Sequence, residues 1–131
     1  MSYMTYTKCD GREVNRVMWE IEYYETKGGH CPVNDFLNSI PPKMQAKAVR
    51  NMELLEQFGP FLTMPYSRPM GDGLYELRVQ VSGGISRILY FFCVDQKIIM
   101  TNGFIKKTGI TPKGELEKAL KYRADYQGRI K

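Results

Sequence analysis

Runs of β-branched and aromatic residues, separated by short gaps, dominate the second half of the chain. Gly83-Gly84 separates the first pair of runs and Asp95-Gln96 separates the second pair. Two-residue gaps of these types are typical of β-hairpins. The pattern therefore predicts a three-stranded antiparallel meander. Its strands are Leu74–Ser82, Ile85–Val94 and Lys97–Ile105.

Outside the meander the pattern predicts one further strand and three helices. Val17–Tyr24 alternates apolar and acidic residues, which indicates a half-buried strand. Val33–Ser39 follows a proline and predicts a short helix, and Pro42–Phe58 predicts a longer one with a single apolar face. Residues 61–73 are rich in proline and glycine and predict a loop. The last helix is expected to begin at Thr111-Pro112 and to end near Tyr126, with Thr111 as its cap.

These elements give the order β-α-α-β-β-β-α, an α+β fold with two helices on one face of an antiparallel sheet. At 131 residues, with 43% hydrophobic and 25% charged positions, the chain has the composition of a folded domain. We assign residues 17–131 to a single domain. Residues 1–16 lack clear periodicity and are treated as an N-terminal extension without predicted elements.

The composition also limits the classes of function. No apolar run approaches the roughly 20 residues of a membrane helix, and the N-terminus lacks an apolar signal core. We therefore expect a cytoplasmic protein with no membrane partner. The three cysteines show no paired spacing, so neither a disulfide framework, a metal site nor a cofactor is indicated.

Positive charge is concentrated at the C-terminal end. Residues 97–131 contain nine Lys or Arg and three acidic residues, a net charge of +6, whereas the whole chain carries +5. The first 96 residues are therefore close to neutral. This distribution predicts a surface that faces a polyanion. A basic, solvated face without a partner is the alternative.

Charged side chains lie within the apolar strands of the meander. On the first strand Glu76, Arg78 and Gln80 share one face, and Arg87 on the next strand should fall beside Gln80 or Arg78. Two arginines on one face repel each other unless an anion or an acid such as Glu76 lies between them. Phosphate is a natural candidate because its oxygens match the guanidinium fork. The alternative is a surface ladder of arginine and glutamate.

Lysines and tyrosines near the C-terminus are further candidates. Lys106 and Lys107 follow the last strand, where loops on a rigid scaffold often carry function, although a basic turn that only adds solubility is the alternative. Tyr122 and Tyr126 could stack on bases or polarise a hydroxyl, or could belong to the core. A general base is not apparent, because pairing with arginine would make Glu76 a weak one.

Three short motifs carry a family resemblance. They are Leu-Tyr-Glu-Leu-Arg at 74–78, Arg-Ile-Leu-Tyr-Phe at 87–91 and Gly-Phe-Ile-Lys-Lys at 103–107. Together with their intervals they resemble the phage-derived HigB-like branch of the RelE toxin superfamily. The resemblance covers about residues 17–126 and leaves the N-terminal extension outside it.

The resemblance implies a compact RelE-type fold and the toxin half of a type II toxin–antitoxin system. It implies metal-independent cleavage of mRNA, commonly on the ribosome, in which a ribose 2′-oxygen attacks the adjacent phosphate. It also implies neutralisation by a helix-turn-helix, HigA-like antitoxin. By position, Arg78, Arg87 and Lys107 correspond to catalytic basic residues of the family. The side chains expected to bind RNA around them are Lys106, Glu76, Gln80, Tyr122 and Tyr126.

Two other functions remain open at this point. The chain could be a non-catalytic module that binds RNA or the ribosome, which predicts salt-sensitive binding without a cleaved product. It could also be a phage-derived inhibitor of a host protein that acts through its exposed sheet.

Overall fold

A five-stranded β-sheet with helices on both faces is the centre of the fold. The computed structural model describes residues 3–9, 12–107 and 110–129. It confirms the predicted α+β class, with α1 and α2 on one face and α3 on the other. The elements are β1 Tyr3–Cys9, β2 Arg12–Met18, β3 Glu20–Tyr23, α1 Pro32–Ser39, α2 Pro42–Phe58, a 3-10 helix Gly59–Phe61, β4 Ser67–Gly71, β5 Leu74–Val81, β6 Gly84–Cys93, β7 Lys97–Ile105 and α3 Lys113–Arg129.

The strand order of the sheet is β3-β7-β6-β5-β4. The predicted meander is confirmed, because β5, β6 and β7 are consecutive antiparallel neighbours. The first hairpin turn is one residue earlier than predicted: Val81 pairs with Gly84, so the turn residues are Ser82 and Gly83. Gly83 adopts a φ of 91°, a conformation that glycine reaches without steric cost.

Two edge strands depart from the expected sheet. β3 pairs with β7 in parallel, so the sheet is mixed and not wholly antiparallel. β4 lies within the segment predicted to be a loop and pairs antiparallel with β5. Pro69 lies in β4, and proline is tolerated there because β4 is an edge strand that needs ladder hydrogen bonds on one side only.

The N-terminal extension contains a hairpin that the sequence interpretation did not predict. β1 and β2 pair antiparallel and form a separate two-stranded sheet. The Asp10-Gly11 dipeptide is the sequence signal that could have indicated this hairpin. The assignment of residues 17–131 as one domain stays a prediction.

The core has two layers, one on each face of the sheet. Beneath α1 and α2 the fully buried residues include Val33, Leu55 and Ile88. Between α3 and the sheet they include Leu89 of β6 and Ala119 of α3 itself. Helices cover both faces of the sheet at β6. Six consecutive residues of this strand are therefore buried, and few of its positions are polar.

The helices begin largely as predicted. Proline is the first residue of α1 and of α2, where its missing N–H costs nothing. α2 has the predicted bounds, although Phe58 at its end is half exposed. α3 extends to Arg129, and Thr111, expected to cap it, directs its hydroxyl to Glu76. None of the described helices is long and apolar enough to cross a membrane.

Gly103 of β7 lies against the Phe36 ring of α1, and its replacement should destabilise the fold. A Cβ at this position would lie 2.4 Å from Cδ2 of Phe36, so helix or ring would have to move. We expect Gly103→Ala to lower the free energy of unfolding by about 1–3 kcal/mol, as overpacked cores do. Urea denaturation monitored by circular dichroism measures the change. Gly114→Ala is the matched control, since no described atom lies within 4 Å of the added methyl group, and an equal loss in both variants would contradict the prediction.

Candidate nucleic-acid interface

The charged residues of the meander meet on the face of the sheet that α3 partly covers. β5 alternates, so Glu76 and Arg78 lie on this face while Leu77 and Val79 pack beneath the other helices. Arg78 is directly opposite Arg87 on β6, which confirms one of the two registers left open by the sequence. The same ladder continues to the edge strand, where Arg68 is opposite Glu76.

Glu76 is the centre of this arrangement. It is 0% exposed, and each of its carboxylate oxygens has partners. The Oε1 atom accepts a hydrogen bond from the Thr111 hydroxyl at 3.1 Å. The Oε2 atom lies 3.1 Å from Nη2 of Arg68, 3.4 Å from Nη1 of Arg78 and 3.5 Å from Nε of Arg87. The sequence predicted that Glu76 lies between two arginines. The structure places it in contact with three.

The three arginines differ in their access to solvent. The side chain of Arg68 is 40% exposed and that of Arg78 is 20% exposed. Arg87 is only 2% exposed, and its Nη1 donates to the carbonyl oxygen of Ser86 at 2.9 Å. A ligand can therefore touch Arg68 and Arg78 directly. The buried Arg87 can act on the ligand only through its positive charge.

Lys106 completes the group, which we call the basic cluster: Arg68, Arg78, Arg87 and Lys106 around Glu76. The backbone N–H of Lys106 donates to the carbonyl oxygen of Ile85, which fixes the chain as it leaves β7. Burial lowers the pKa of Lys106, and the nearby arginines lower it further, against an opposing effect of Glu76. The pKa of Arg87 is also lowered, first by burial and then by Arg78.

The balance of charge in the basic cluster favours an anionic ligand. Three arginines contact a single carboxylate and Lys106 interacts electrostatically with the same group, so positive charge is in excess and the cations repel one another. An anion bound beside Arg68 and Arg78 would relieve that repulsion. Guanidinium groups bind the oxygens of phosphate in pairs, and the exposed members of the cluster can therefore hold a phosphodiester.

Two other predicted residues lie near the basic cluster without a described contact to it. Gln80 is exposed and continues the Glu76 and Arg78 face of β5 toward the hairpin turn. Lys107 is exposed and follows Lys106 where the chain leaves the sheet. The catalytic role of Lys107 stays a prediction.

The two predicted tyrosines belong to another part of the molecule. Tyr122 stacks on Tyr24 with ring centroids 4.7 Å apart, and Tyr126 packs edge-on against Phe91. Burial, with a smaller effect of Glu22, raises the pKa of Tyr126 to about 12. Phe91 is four residues from Arg87 along β6, about 13 Å. The structure therefore brings these tyrosines to the core beneath α3, not to the basic cluster.

Sequence reasoning missed two members of the site. Arg68 was in the predicted loop, and only its pairing with Glu76 across β4 and β5 brings it to the cluster. Thr111 was expected to cap a helix, but it is 5% exposed and bound to the buried carboxylate. Neither position carries a local sequence signal for this role, since both depend on contacts with residues far away in the chain.

Comparison with known families adds a further finding. The family model described as "Phage derived protein Gp49-like (DUF891)" matches residues 35–124. The matched segment includes the whole of β4 to β7, and with them every residue of the basic cluster. No curated protein matches the chain.

Proposed function

The chain belongs to the phage-derived Gp49-like family, and from this premise we propose that it is the toxin of a toxin–antitoxin pair. In this proposal it is a RelE-like, HigB-like endoribonuclease that cleaves mRNA, with the ribosome as the site of action in the cytoplasm. A helix-turn-helix antitoxin is its neutralising partner. The observation that supports an RNA substrate is the basic cluster, in which two partly exposed arginines lie beside a buried arginine and a buried carboxylate.

The proposed reaction is transfer of the phosphodiester to the neighbouring 2′-oxygen. A bond forms between the 2′-oxygen and phosphorus, the bond to the 5′-oxygen breaks, and the products are a 2′,3′-cyclic phosphate and a 5′-hydroxyl. Negative charge increases on the non-bridging oxygens in the transition state, so fixed cations beside them lower the barrier. Arg68 and Arg78 are proposed to contact these oxygens, and Arg87 to stabilise the charge from below. Lys107 is proposed to contact the RNA backbone beside them.

Lys106 is the residue that we propose as the proton acceptor. A general base must be deprotonated before it can take the 2′-hydroxyl proton, and burial together with the arginines lowers the pKa of Lys106. Glu76 is less suited because both of its oxygens are engaged by other side chains. The leaving 5′-oxygen takes its proton from water.

The test is cleavage of RNA by purified protein, with and without translating ribosomes, compared between the native chain and Lys106→Arg. Arginine keeps the positive charge but does not release its proton, so RNA binding should persist while cleavage falls about 100-fold. The native rate should rise with pH through the pKa of the lysine, and the variant should lose that rise. Product ends are identified by their 2′,3′-cyclic phosphate.

Two results would argue against this assignment. If Lys106→Arg cleaves with the native rate and pH profile, Lys106 is not the base. If the native protein yields no cleaved RNA in either condition, the enzyme proposal fails as a whole.

A non-catalytic module that binds RNA or the ribosome is the second candidate. It is favoured by the state of Glu76, because the only carboxylate of the basic cluster is saturated with partners and cannot assist a proton transfer. This candidate predicts binding that weakens as salt increases, and no product from any RNA.

A further inference from the structure

A groove of about 700 Å³ lies at the edge of the sheet farthest from β4, between β3 and α2. Ile21 and Tyr23 of the strand line one side of it, and Val49, Glu53 and Glu56 of the helix line the other. Val49 is 49% exposed, so it presents an apolar side chain at the mouth of the groove. The groove therefore has an apolar floor and an acidic wall.

The strand side of the groove is a sheet edge, because β3 pairs with β7 alone among the described strands. The N–H of Glu20 donates to the carbonyl oxygen of Gln96, just before β7, and the N–H of Tyr24 donates to that of Met100 in β7. Each distance is 2.9 Å. Because successive residues of a strand point their backbone groups to opposite sides, those of Ile21 and Tyr23 point away from β7. The N–H of Ile21 donates to a side-chain oxygen of Glu56 at 3.4 Å, a hydrogen bond that an added strand would replace. Such an edge can accept a further strand.

The charge of the groove is opposite to that of the chain as a whole. Glu25, Glu53 and Glu56 line it, and the structure places no lysine or arginine among its described lining residues. Glu22 also borders the groove, but its carboxylate lies 3.5 Å from Nζ of Lys97. In a protein of net charge +5, this is a local surface that attracts cations and repels nucleic acid.

We infer that this groove binds an extended polypeptide segment in which lysine or arginine alternates with apolar residues, and that the segment pairs with β3 as an added strand. The backbone of the segment bonds the open edge at Ile21 and Tyr23. Its apolar side chains cover Val49 and the floor of the groove, and its cations meet Glu25 and Glu53. Recognition of this kind combines main-chain hydrogen bonds with pockets for alternate side chains.

The inference goes beyond the proposed function and does not depend on it. β3 and β4 are at opposite edges of the sheet, four strand spacings apart, which is about 19 Å. A segment bound along β3 would leave Arg68 and Arg78 uncovered. The same molecule could therefore hold a basic polypeptide and a polyanion at once.

The experiment uses a synthetic peptide of alternating lysine and valine as the probe. Binding is measured by calorimetry, and amide hydrogen exchange is measured by NMR on the full chain. We expect binding that weakens with salt, and slower exchange of the amides of Ile21 and Tyr23 when the peptide is present. An alternating glutamate and valine peptide should not bind. A peptide methylated at alternate backbone nitrogens should bind much more weakly, because it cannot complete the ladder.

Charge reversal locates the site. The double change Glu25→Lys and Glu53→Lys should weaken binding about tenfold, whereas Glu117→Lys, an exposed change on α3, should leave it unchanged. Equal affinity of the methylated peptide, unchanged exchange at Ile21 and Tyr23, or equal effects of the two charge reversals would each overturn the inference. So would a peptide-free dimer whose interface protects the same amides, because the occupant would then be a second copy of the chain.

Discussion

Replacing Glu76 with glutamine is expected to lower the free energy of unfolding by about 3–5 kcal/mol, the usual effect of removing one partner from a buried ion pair. The side chain is fully buried, and its carboxylate lies within 3.5 Å of guanidinium nitrogens from Arg68, Arg78 and Arg87. Glutamine keeps the shape of the side chain and can still accept the hydrogen bond from Thr111. The loss of stability therefore measures the contribution of the negative charge. Urea denaturation at neutral pH gives the value.

Two further variants separate the contribution of the Glu76 charge from that of its hydrogen bond with Thr111. Thr111→Val removes the hydrogen bond to Glu76 and keeps the charge, and should lower the free energy of unfolding by about 1–3 kcal/mol. Glu117→Gln removes an exposed carboxylate on α3 and should stay within about 0.5 kcal/mol of the native protein. If Glu76→Gln is no less stable than Glu117→Gln, the carboxylate does not hold the arginines together.

Sulfate should restore part of the stability lost in Glu76→Gln. An anion that binds the folded state stabilises it by mass action, and the variant presents Arg68 and Arg78 without their carboxylate. The midpoint of unfolding should therefore rise more with sulfate in the variant than in the native protein, at constant ionic strength set with chloride. An equal rise in both proteins would show that removal of the carboxylate does not strengthen anion binding at these arginines.

The local part of the fold could be predicted from the sequence. The alternation and turn residues between Leu74 and Ile105 predicted β5 to β7 to within about a residue at most ends, and the proline and glycine that flank α2 predicted its bounds. These signals depend on neighbours in the chain, which is why a single sequence contains them. The pairing of Arg78 with Arg87 followed from the same turn, once its exact position was known.

The long-range part could not be predicted in the same way. β3 joins β7 in parallel after more than seventy intervening residues, and no turn specifies that pairing. β4 was hidden by Pro69, which argues against a strand unless the strand is known to be at an edge. Because Arg68 lies on β4, the same omission removed it from the predicted site.

The burial of Glu76 changes the interpretation of the site most. From alternation alone, Glu76 and its arginines could form a ladder on an open surface. The structure covers that face with α3 and the segment around Thr111, so the carboxylate is a structural element and Arg87 is buried with it. The members of the basic cluster that remain partly exposed to a ligand are Arg68, Arg78 and Lys106.

Arg78→Ala is expected to reduce RNA cleavage by about 100- to 1000-fold in kcat/KM, the scale of losing one charged group that stabilises a transition state. Arg78 is the predicted catalytic arginine that solvent can reach, since its side chain is 20% exposed and Arg87 lies buried beside it. Arg68 and Arg87 still neutralise Glu76 in the variant, so the fold should persist. Unfolding by urea, run alongside the cleavage assay, verifies that point.

Arg50→Ala is the matched control for Arg78→Ala. Arg50 is exposed on α2, on the face of the sheet opposite to the basic cluster, so this change removes the same charge without touching the site. Cleavage by Arg50→Ala should stay close to the native rate, and its binding of RNA should keep the native salt dependence. If both variants lose activity equally, general attraction to RNA accounts for the effect. If Arg78→Ala keeps full activity, the phosphate does not bind at the basic cluster.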